Sequence, residues 1–432
     1  MQQQVPEGYK RTYVGVIPDE WNTPMLGSVC GLVNGRGFKP FEWSEHGLPI
    51  IRIQNLNGSD EFNYYEGLFD PKIFIEHGQL LFAWSGSRGT SFGPHIWEGG
   101  NALLNYHTWK MVIDTTKIES DFFYHALKSL TKQIEDSAHG ASALVHTQKG
   151  EMEKLLIPVP SNKKEQTAIA NALSDVDALI TSIEKLITKK RAIKTAAMQQ
   201  LLTGKKRLPP FDQTHTGYKQ TELGEIPEDW EVKTVFRIAG EAKSQFEDGD
   251  WVEAEHITDR GVRLIQTGNI GIGEFVEKEN RKYIYEESFA KLRCKELIAG
   301  DLLICRLAEP AGRACIFPKL DEYKVITSVD VTICRPKETE VSREYLMHYF
   351  TTSQWFRSVS DHVGGTTHKR ISRGALGKLL VPLASLDEQV VIANVLSDMD
   401  KDIVQLEMRL KKTTQLKQGM MQELLSGRTR LI

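Results

Sequence analysis

The segment GYKRTYVGVIPDEW at residues 8–21 recurs as GYKQTELGEIPEDW at residues 217–230, and this repeat decides the fold. The copies are identical at their Gly, Tyr, Lys, Thr, Gly, Ile, Pro and Trp positions. Chance does not produce a match of this quality at such a distance along a chain. We conclude that the chain contains an internal duplication, which sets the architecture before any local pattern is considered.

Further repeated segments follow in the same order in both halves. The pairs with strong identity are EQTAIANALSDVDALI (165–180) with EQVVIANVLSDMDKDI (388–403), and QQLLTGKKRL (199–208) with QELLSGRTRL (422–431). The weaker pairs are IRIQNLNG (51–58) with LIQTGNIG (264–271), and GQLLFAW (78–84) with GDLLICR (300–306). The chain therefore alternates between variable regions and shared blocks, and we expect the two variable regions to share one fold while carrying different side chains.

The shared blocks have the start and stop signals of helices. A polar residue stands three positions before a glutamate at each start, as in a capping box: Asn162 before Glu165, and Ser385 before Glu388. Each block ends at a glycine, where a left-handed cap closes a helix: Gly204 and Gly427. These signals predict one long helix in each block.

Between these signals, apolar residues recur at alternating steps of four and three, which is the heptad seam of paired helices. A single apolar stripe usually indicates a helix packed on its own domain, but these stripes run for about forty residues, or roughly 60 Å. We therefore expect the helices to pack on each other, and the connection through the second variable region favours an antiparallel pair. The apolar seam positions are Ile169, Leu173, Val176, Ile180, Ile183, Ile187, Ile392, Leu396, Met399, Ile403, Leu406 and Leu410. Lys190, Lys194 and Lys417 also fall on the seam, where we expect a role in register or solvent contact.

The predicted fold class is α+β, with two similar α/β domains separated by two long helices that form an antiparallel coiled coil in a pseudo-twofold repeat. The domains are predicted at residues 1–160 and 207–384, and the helices at 161–206 and 385–432. Short β-rich runs broken by Gly and Asn turns predict strands at 48–53, 80–84, 262–266, 301–305 and 329–334. Helices are predicted near 122–137 and 344–358. The strand order within each domain cannot be derived from these patterns.

The loops of both variable regions are rich in side chains that suit DNA. Arg, Asn and Gln make paired hydrogen bonds to base edges, while Ser, Thr, Lys and backbone amides hold phosphates. A more ordinary interpretation is that exposed loops are polar in any protein. The candidate contacts are Arg52, Gln54, Asn55, Ser87, Arg88, His146, Gln148 and Lys149 in the first region. In the second region they are Arg263, Gln266, Asn269, Arg306, Arg313, Thr367, His368, Lys369, Arg370 and Arg373.

Composition and missing motifs exclude several classes of protein. With 432 residues and 40% apolar content, the chain is long enough for more than one globular domain, and it lacks the apolar runs of a membrane span or signal peptide, so we expect a cytoplasmic protein. The net charge of −3 means that DNA binding must depend on local patches or on a partner.

The five cysteines are predicted to be reduced thiols, and two histidine pairs, His139 with His146 and His362 with His368, lack the companions of a metal site. Because phosphate-loop, methyltransferase and nuclease motifs are absent as well, we expect no catalytic residues and no metal.

The runs LLIPVPSNKKEQTAIANALSDVD (155–177) and LLVPLASLDEQVVIANVLSDMD (379–400), with the paired IP-x-x-W segments, closely resemble specificity subunits of type I restriction-modification systems. The resemblance covers the full length. It implies two target-recognition domains that each read one half of an asymmetric, two-part DNA site, with the helices holding them apart. It also implies assembly with two modification subunits, which use S-adenosylmethionine to methylate adenine, and two restriction subunits, which use ATP and magnesium.

Three alternatives were weighed against this prediction. A self-contained methyltransferase or nuclease would need the motifs that the chain lacks. A coiled-coil DNA-binding regulator would dimerise and bind a palindrome, whereas two non-identical domains predict an asymmetric site. A scaffold that binds only proteins would show no preference among DNA sequences.

Overall fold

A computed structural model of the chain describes residues 5–137, 144–213, 217–365 and 369–431. The chain divides into two compact units: unit 1 comprises Met1–Glu184 with Met408–Ile432, and unit 2 comprises Lys185–Glu407. Each unit contains one variable region and a part of both long helices. The boundary between the units crosses both long helices, because the start of each helix packs with the end of the other.

Unit 1 contains short strands and helices from the first variable region. Its strands are β1 (Tyr9–Thr12), β2 (Gly15–Pro18), β3 (Cys30–Asn34), β4 (Leu48–Ile51), β5 (Asn63–Tyr65), β6 (Phe74–Ile75), β7 (Leu80–Ala83), β8 (Ser85–Ser87), β9 (Gly93–Ile96), β10 (Ala102–Leu104), β11 (Thr108–Ile113) and β12 (Leu144–His146). Its helices are α1 (Leu26–Val29), α2 (Ile53–Leu56), α3 (Ser120–Ser137) and α4 (Lys149–Met152), followed by the first long helix, α5 (Lys163–Leu201), which continues into unit 2.

Unit 2 has a similar order of elements, with differences before its first helix and between its last sheet strand and the long helix. Its strands are β13 (Tyr218–Thr221), β14 (Gly224–Pro227), β15 (Glu231–Thr234), β16 (Phe246–Asp248), β17 (Ile257–Thr258), β18 (Val262–Ile265), β19 (Lys282–Ile284), β20 (Leu302–Cys305), β21 (Ala314–Ile316), β22 (Val325–Thr327), β23 (Val331–Cys334) and β24 (Leu380–Leu383). Its helices are α6 (Val235–Ile238), α7 (Glu286–Lys291), α8 (Arg343–Tyr349), α9 (Ser353–Ser360) and α10 (Arg373–Lys378), followed by the second long helix, α11 (Leu386–Leu424), which continues into unit 1.

The sheets confirm that the two variable regions are one duplicated fold. The antiparallel sheet β3-β11-β7-β9 of unit 1 matches β16-β23-β20-β21 of unit 2. In the second sheet, β5-β4-β10 matches β19-β18-β22, and both triplets join their last two strands in parallel. The fourth strand of this sheet lies at opposite edges in the two units, beside β10 in unit 1 and beside β19 in unit 2. The framework is therefore shared, and the differences lie at its edges and in its loops.

Each predicted strand contains an observed one, because its residues form a short apolar run that the domain buries. β7 and β20 are buried at every position, as expected of strands covered on both faces. The helix predicted near 344–358 was wrong as a single element: α8 ends at Tyr349 and α9 begins at Ser353. The break occurs because the hydroxyl of Thr352 accepts a hydrogen bond from the amide of Trp355 at 3.2 Å, which caps a new helix.

The long helices α5 and α11 are 39 residues each and pair in antiparallel order, as predicted. In unit 2, Lys190 bonds Asp402 at 2.8 Å, while Lys194, further along α5, reaches back to Asp400. In unit 1, the seam residue Lys417 of α11 forms an ion pair with Asp177 of α5. All three seam lysines therefore lie in ion pairs between the helices. The twelve apolar seam positions are all buried or half-buried.

The helix caps are confirmed at the glycine ends and only half confirmed at the starts. Gly204 and Gly427 adopt φ values of 69° and 71°, the left-handed conformation of a C-terminal cap. At the start of α5, the side chain of Asn162 accepts a hydrogen bond from the amide of Lys164 at 2.9 Å. The reciprocal half of the predicted capping boxes was wrong, because the glutamates Glu165 and Glu388 turn away from the helix start.

These glutamates instead hold each unit together. In unit 2, the indole of Trp230 donates to Glu388 Oε2 at 3.2 Å, and Arg207 donates to both carboxylate oxygens at 2.9 and 2.6 Å. We call Trp230, Glu388 and Arg207 the unit 2 clamp. It joins the β13-β14 hairpin, the start of α11 and the segment just beyond the end of α5.

Unit 1 builds the same clamp from Trp21, Glu165 and Arg430. Trp21 donates to Glu165 Oε2 at 3.4 Å, and Arg430 donates to the same oxygen at 2.9 Å. The cap glycine Gly427 also packs tightly beside the clamp, since a Cβ at this position would lie 2.5 Å from Cδ of Pro18. The corresponding glycine of unit 2, Gly204, meets a proline in the same way. In each unit, the repeated IP-x-x-W segment therefore packs against the end of a long helix.

Each main core includes the long helices. In unit 1, Trp21, Phe122 and Leu127 pack with Ile169 of α5 and Leu424 of α11. In unit 2, the buried cluster combines residues of the variable region with both long helices, including Trp230, Tyr345, Leu346, Trp355, Met198, Leu201, Ile392 and Leu396. A variable region and the helix ends therefore form one cooperative core in each unit.

The cysteines are free thiols, as predicted. Four are buried and Cys294 is half-buried. Burial raises the pKa of Cys30, Cys315 and Cys334 to about 12, so these thiols stay protonated and unreactive at neutral pH. In the part of the chain that the structure describes, no helix is long and apolar enough to span a bilayer, and no three metal-binding side chains cluster.

Replacing Glu388 with alanine is expected to lower the free energy of unfolding by about 1–3 kcal/mol, because it leaves the buried indole of Trp230 without an acceptor and the half-buried Arg207 with Asp229 at 2.9 Å as its remaining carboxylate. Urea denaturation of the purified chain measures this change. The matched control is Asp398→Ala, which breaks an exposed ion pair with Lys401 and should cost under about 1 kcal/mol. Equal stability of the two variants would contradict the clamp.

Two buried histidines are expected to make stability sensitive to acid. His125 Nε2 lies 3.0 Å from the hydroxyl of Ser174 on α5, and His348 Nε2 lies 3.1 Å from that of Ser397 on α11. Burial lowers the pKa of both to about 4. Between the ordinary pKa of about 6.5 and this value, the unfolded chain binds more protons, so stability falls as the pH drops through that window.

The double variant His125→Gln, His348→Gln should therefore lose less stability than the parent chain between pH 7 and pH 4.5, as measured by urea midpoints at each pH. The control is His46→Gln, which changes an exposed histidine and should keep the parent's pH dependence. A double variant with an unchanged slope would show that these two histidines do not govern acid sensitivity.

Candidate nucleic-acid interface

A turn of the same construction follows β4 in unit 1 and β18 in unit 2. Asn55 Oδ1 accepts from the amide of Arg52 at 3.0 Å, and Asn269 Oδ1 accepts from the amide of Gln266 at the same distance. The asparagine amides donate onward to carbonyls, from Asn269 to Val276 at 2.9 Å. Arg52 therefore corresponds to Gln266, one residue away from the alignment that the sequence indicated.

These turns correct two of the predicted DNA contacts. Asn55 and Asn269 are only 7% and 4% exposed, and their hydrogen-bonding atoms are used inside the turn. They shape the loop and do not face outward. Arg52 and Gln266, which occupy equivalent positions in these turns, are half-exposed.

Three predicted arginines of unit 2 organise their own loops, and two of them, Arg263 and Arg306, are buried. Arg263 is 1% exposed and bonds Glu277 at 2.8 Å. Arg306 is 5% exposed, pairs with Asp248 at 3.1 Å and donates to two backbone carbonyls. Arg313 donates to four carbonyls of neighbouring loops. Burial contradicts the predicted DNA contacts of Arg263 and Arg306, because a guanidinium can organise a loop as well as bind a base, while contact by the half-exposed Arg313 stays a prediction.

The predicted basic loops occupy equivalent places in the two units. Thr147 donates its amide to the carbonyl of Trp84 at 3.0 Å, just as Ile371 does to Arg306 at 3.0 Å. His146 thus corresponds to Arg370, and Lys149 corresponds to Arg373. In unit 1 this loop pairs with the Ser85–Ser87 strand, which brings His146 beside the predicted SGSRG turn.

The other predicted contacts are on the surface wherever the structure describes them. The exposed or half-exposed ones are Arg52, Gln54, Ser87, Arg88, His146, Gln148, Lys149, Gln266, Lys369, Arg370 and Arg373. Thr367 and His368 lie outside the described residues. Arg370 lies 3.5 Å from Asp330 and Arg373 lies 3.8 Å from Asp248, so acidic neighbours temper the charge of the unit 2 loop.

Sequence reasoning missed a pocket in unit 1, with a volume of about 320 Å³. Its lining includes Arg52 and Gln54, which were predicted, and the run Asn105, Tyr106, His107 and Thr108, which was not. This run joins the buried strands β10 and β11. Four polar or aromatic residues in succession between two apolar strands were the available signal.

The pocket has the chemistry of a recognition site. Burial lowers the pKa of His107, so its imidazole is neutral at physiological pH and can donate from one nitrogen and accept at the other. Arg52 lies with its guanidinium 5.4 Å from the ring centre of Trp43. Arginine, amide and imidazole groups beside aromatic faces suit hydrogen bonding and stacking with nucleic-acid bases.

Equivalent positions of the two units carry different side chains on one framework. His107 corresponds to Asp330, because the backbone amide of Trp84 donates to the carbonyl of His107 and the backbone amide of Arg306 donates to the carbonyl of Asp330. Arg52 is replaced by Gln266 as described above. Guanine suits an arginine, whereas adenine suits a glutamine and cytosine can donate to an aspartate. The two units therefore present different hydrogen-bonding groups at equivalent positions of one framework.

Comparisons with known proteins agree on one family. The family model described as "Type I restriction modification DNA specificity domain" matches residues 18–194 and again 227–418. The MjaVIII specificity subunit of Methanocaldococcus jannaschii, a type I restriction enzyme component, is 23% identical over all of this chain and 98% of its own length. The EcoBI specificity subunit of Escherichia coli is 26% identical over 86% of this chain and 78% of its own length.

The fold has solved counterparts. The crystal structure of the type I restriction-modification S subunit from M. genitalium superposes with a TM-score of 0.57 at 17% identity, covering 98% of this chain and 97% of that one. The curated relatives are named as specificity subunits, which are the non-catalytic components of their enzymes. With a duplicated domain, paired helices and a family match over most of its length, the chain belongs to the family of type I restriction-modification DNA specificity subunits.

Proposed function

We propose that this chain reads an asymmetric, two-part DNA site, with each unit reading one half. The observation that carries this proposal is the exchange of side chains at equivalent positions, Arg52 for Gln266 and His107 for Asp330, on a shared framework. Two readers with the same loops and different hydrogen-bonding groups select different bases. A palindromic site would require identical groups in both.

The long helices are proposed to fix the gap between the half-sites. A helix of 39 residues extends for about 58 Å at 1.5 Å per residue. Half-sites read on one face of B-DNA are centred about 34 Å apart, which lies within that length. The cross-helix ion pairs of Lys190 and Lys194 resist sliding of one helix along the other.

The exposed sides of the same helices are proposed to bind the modification subunits. Large apolar side chains remain in contact with solvent there: Leu179, Met408 and Leu416 in unit 1, and Leu186, Ile193 and Val404 in unit 2. Ile193 and Leu416 occupy equivalent positions of the repeated blocks, which suits two copies of one partner. Exposed apolar residues on a helix are typical of a surface that packs against another helix.

The enzymatic steps are proposed to belong to the partners. Two modification subunits would bind S-adenosylmethionine and methylate adenine, and two restriction subunits would use ATP and magnesium. The net charge of −3 leaves much of the phosphate neutralisation to these subunits. Because the substrate is chromosomal or invading DNA, we place the assembled enzyme in the cytoplasm.

Single substitutions should change one half of the recognised site at a time. In chains co-expressed with the cognate modification subunit, Arg52→Gln should relax or alter bases in one half-site, and Arg370→Gln should act only on the other. Each change should cost about 1–3 kcal/mol of discrimination, because one side chain supplies the lost contact. Genome-wide mapping of methylated adenines measures both motifs.

The control is Arg260→Gln, an exposed arginine in the turn before β18, at the opposite end of that strand from Gln266. It should leave the motif unchanged. Two site variants that altered the same half, or a parent chain that directed methylation to one continuous motif, would contradict the assignment of one half-site to each unit.

Lengthening both helices should lengthen the gap without altering either half-site. Seven residues inserted within 185–195 of α5, with seven more in the facing stretch 399–409 of α11, would add about 10 Å of helix. At 3.4 Å per base pair, the mapped gap should grow by about three base pairs. As a control, the same seven residues placed after Glu279, in an exposed turn, should leave the gap unchanged. An unchanged gap in the variant with longer helices would contradict the proposal that the helices fix the gap.

A further inference from the structure

We propose that the unit 1 pocket receives one nucleobase that has been swung out of the DNA duplex, and recognises it by stacking and by hydrogen bonds to its edge. This inference rests on the proposed function and adds a mode of recognition to it. The pocket lies between the strand ends and the aromatic loop of residues 36–43, and its volume is about 320 Å³. That is at the small end of ligand pockets, a size suited to a single planar ring system.

Four buried polar atoms of residues that line this pocket have no hydrogen-bond partner among the described residues. They are Arg52 Nε, Asn105 Oδ1, His107 Nδ1 and Thr108 Oγ1. Thr108 is only 1% exposed. Buried polar groups are nearly always hydrogen-bonded, and the grouping of four unpartnered atoms in the wall of one pocket is the observation from which we infer a ligand there.

The kinds of atom identify the ligand class. Arg52 Nε can only donate and Asn105 Oδ1 can only accept, while His107 and Thr108 can do either. A phosphate presents acceptors alone and would leave Asn105 unsatisfied. A nucleobase carries donors and acceptors side by side along one edge, which matches the mixed set.

Aromatic rings provide the stacking surfaces. Trp43 is 38% exposed and Tyr106 is 47% exposed, and both line the pocket. The Tyr106 ring lies 3.7 Å from that of His107, which itself lies 5.2 Å from the ring of Trp84. Exposed aromatic faces beside a polar pocket are the usual platform for an unpaired base.

We assign an exposed ring of the same loop to the space that the base leaves. Phe41 precedes Trp43 by two positions and is 82% exposed. Within the unit, its ring centre lies 5.8 Å from the ammonium of Lys39, and most of the ring remains open to solvent. Proteins that open the DNA stack insert rings of this kind between base steps.

Unit 2 provides an internal comparison. The bridge between Arg36 and Asn105 corresponds to the bridge between Asp250 and Ser328, so the register of this loop is known in both units. Val329 and Val331 then stand where unit 1 has Tyr106 and Thr108. The stacking ring and the buried hydroxyl are both lost, so the base-binding pocket is specific to unit 1.

The test uses the chain assembled with its modification subunit and duplexes that carry the mapped site. Fluorescent bases, 2-aminopurine for purines and pyrrolocytosine for pyrimidines, are placed one at a time through both half-sites. A several-fold rise in fluorescence on binding is expected at one position of the unit 1 half-site other than the adenine that the partner methylates. The methylated adenine should give its own signal, because methyltransferases evert their target base.

Two substitutions assign the signal to this pocket. Tyr106→Ala and Thr108→Val should each abolish the rise at that position and leave the rise at the methylated adenine intact. The matched control is Tyr323→Ala, which removes a tyrosine of unit 2 that is 66% exposed, and it should change neither signal. Thr108→Val keeps the shape of the side chain, so its effect does not depend on a folding defect.

The outcomes separate the two proposals. A complex that methylates a two-part site but shows no rise outside the methylated adenine overturns the pocket's role alone. A rise that persists in both Tyr106→Ala and Thr108→Val overturns it as well. A complex that directs methylation to no two-part site overturns the proposed function together with the pocket's role.

Discussion

A buried carboxylate at the start of each long helix is the contact on which the rest of the structure depends. Glu388 is wholly buried, with the indole of Trp230 and the guanidinium of Arg207 around it. Removing a charge from water is costly unless its hydrogen bonds are replaced, and here both oxygens are satisfied. The three partners come from the segment after a hairpin, a helix start and the segment beyond the other helix's end, so the contact ties three distant parts of the chain together.

This contact explains which parts of the sequence are repeated. The IP-x-x-W segment supplies the tryptophan, and the start of the long helix supplies the glutamate. The glycine at the helix end leaves room for the backbone to lie close to a proline. These are requirements of packing, and both units have the same ones. The loops at the far ends of the strands face no such requirement, and there the units differ.

The separation of a shared framework from differing loops has a consequence for function. A specificity subunit must change the bases it reads without losing its fold, and a rigid framework with exposed side chains at fixed places permits that. Arg306 and Arg313 show the limit of this freedom, because they look like recognition residues and hold the loops in shape. Arg370 and Arg373 are exposed and form ion pairs with Asp330 and Asp248.

The sequence by itself determined the duplication, the two long helices, their antiparallel pairing and most strands, because these depend on periodic patterns and on caps that act over a few residues. It did not determine how Glu165 and Glu388 are used, since the partners Trp21 and Trp230 lie far away along the chain. Tertiary structure alone decided which polar side chains are outside: Asn55 and Arg263 are buried, while Arg52 and the run Asn105–Thr108 line a pocket. The physical reason is that burial and hydrogen-bond partnership depend on strand order and register, which arise only when distant segments pack together.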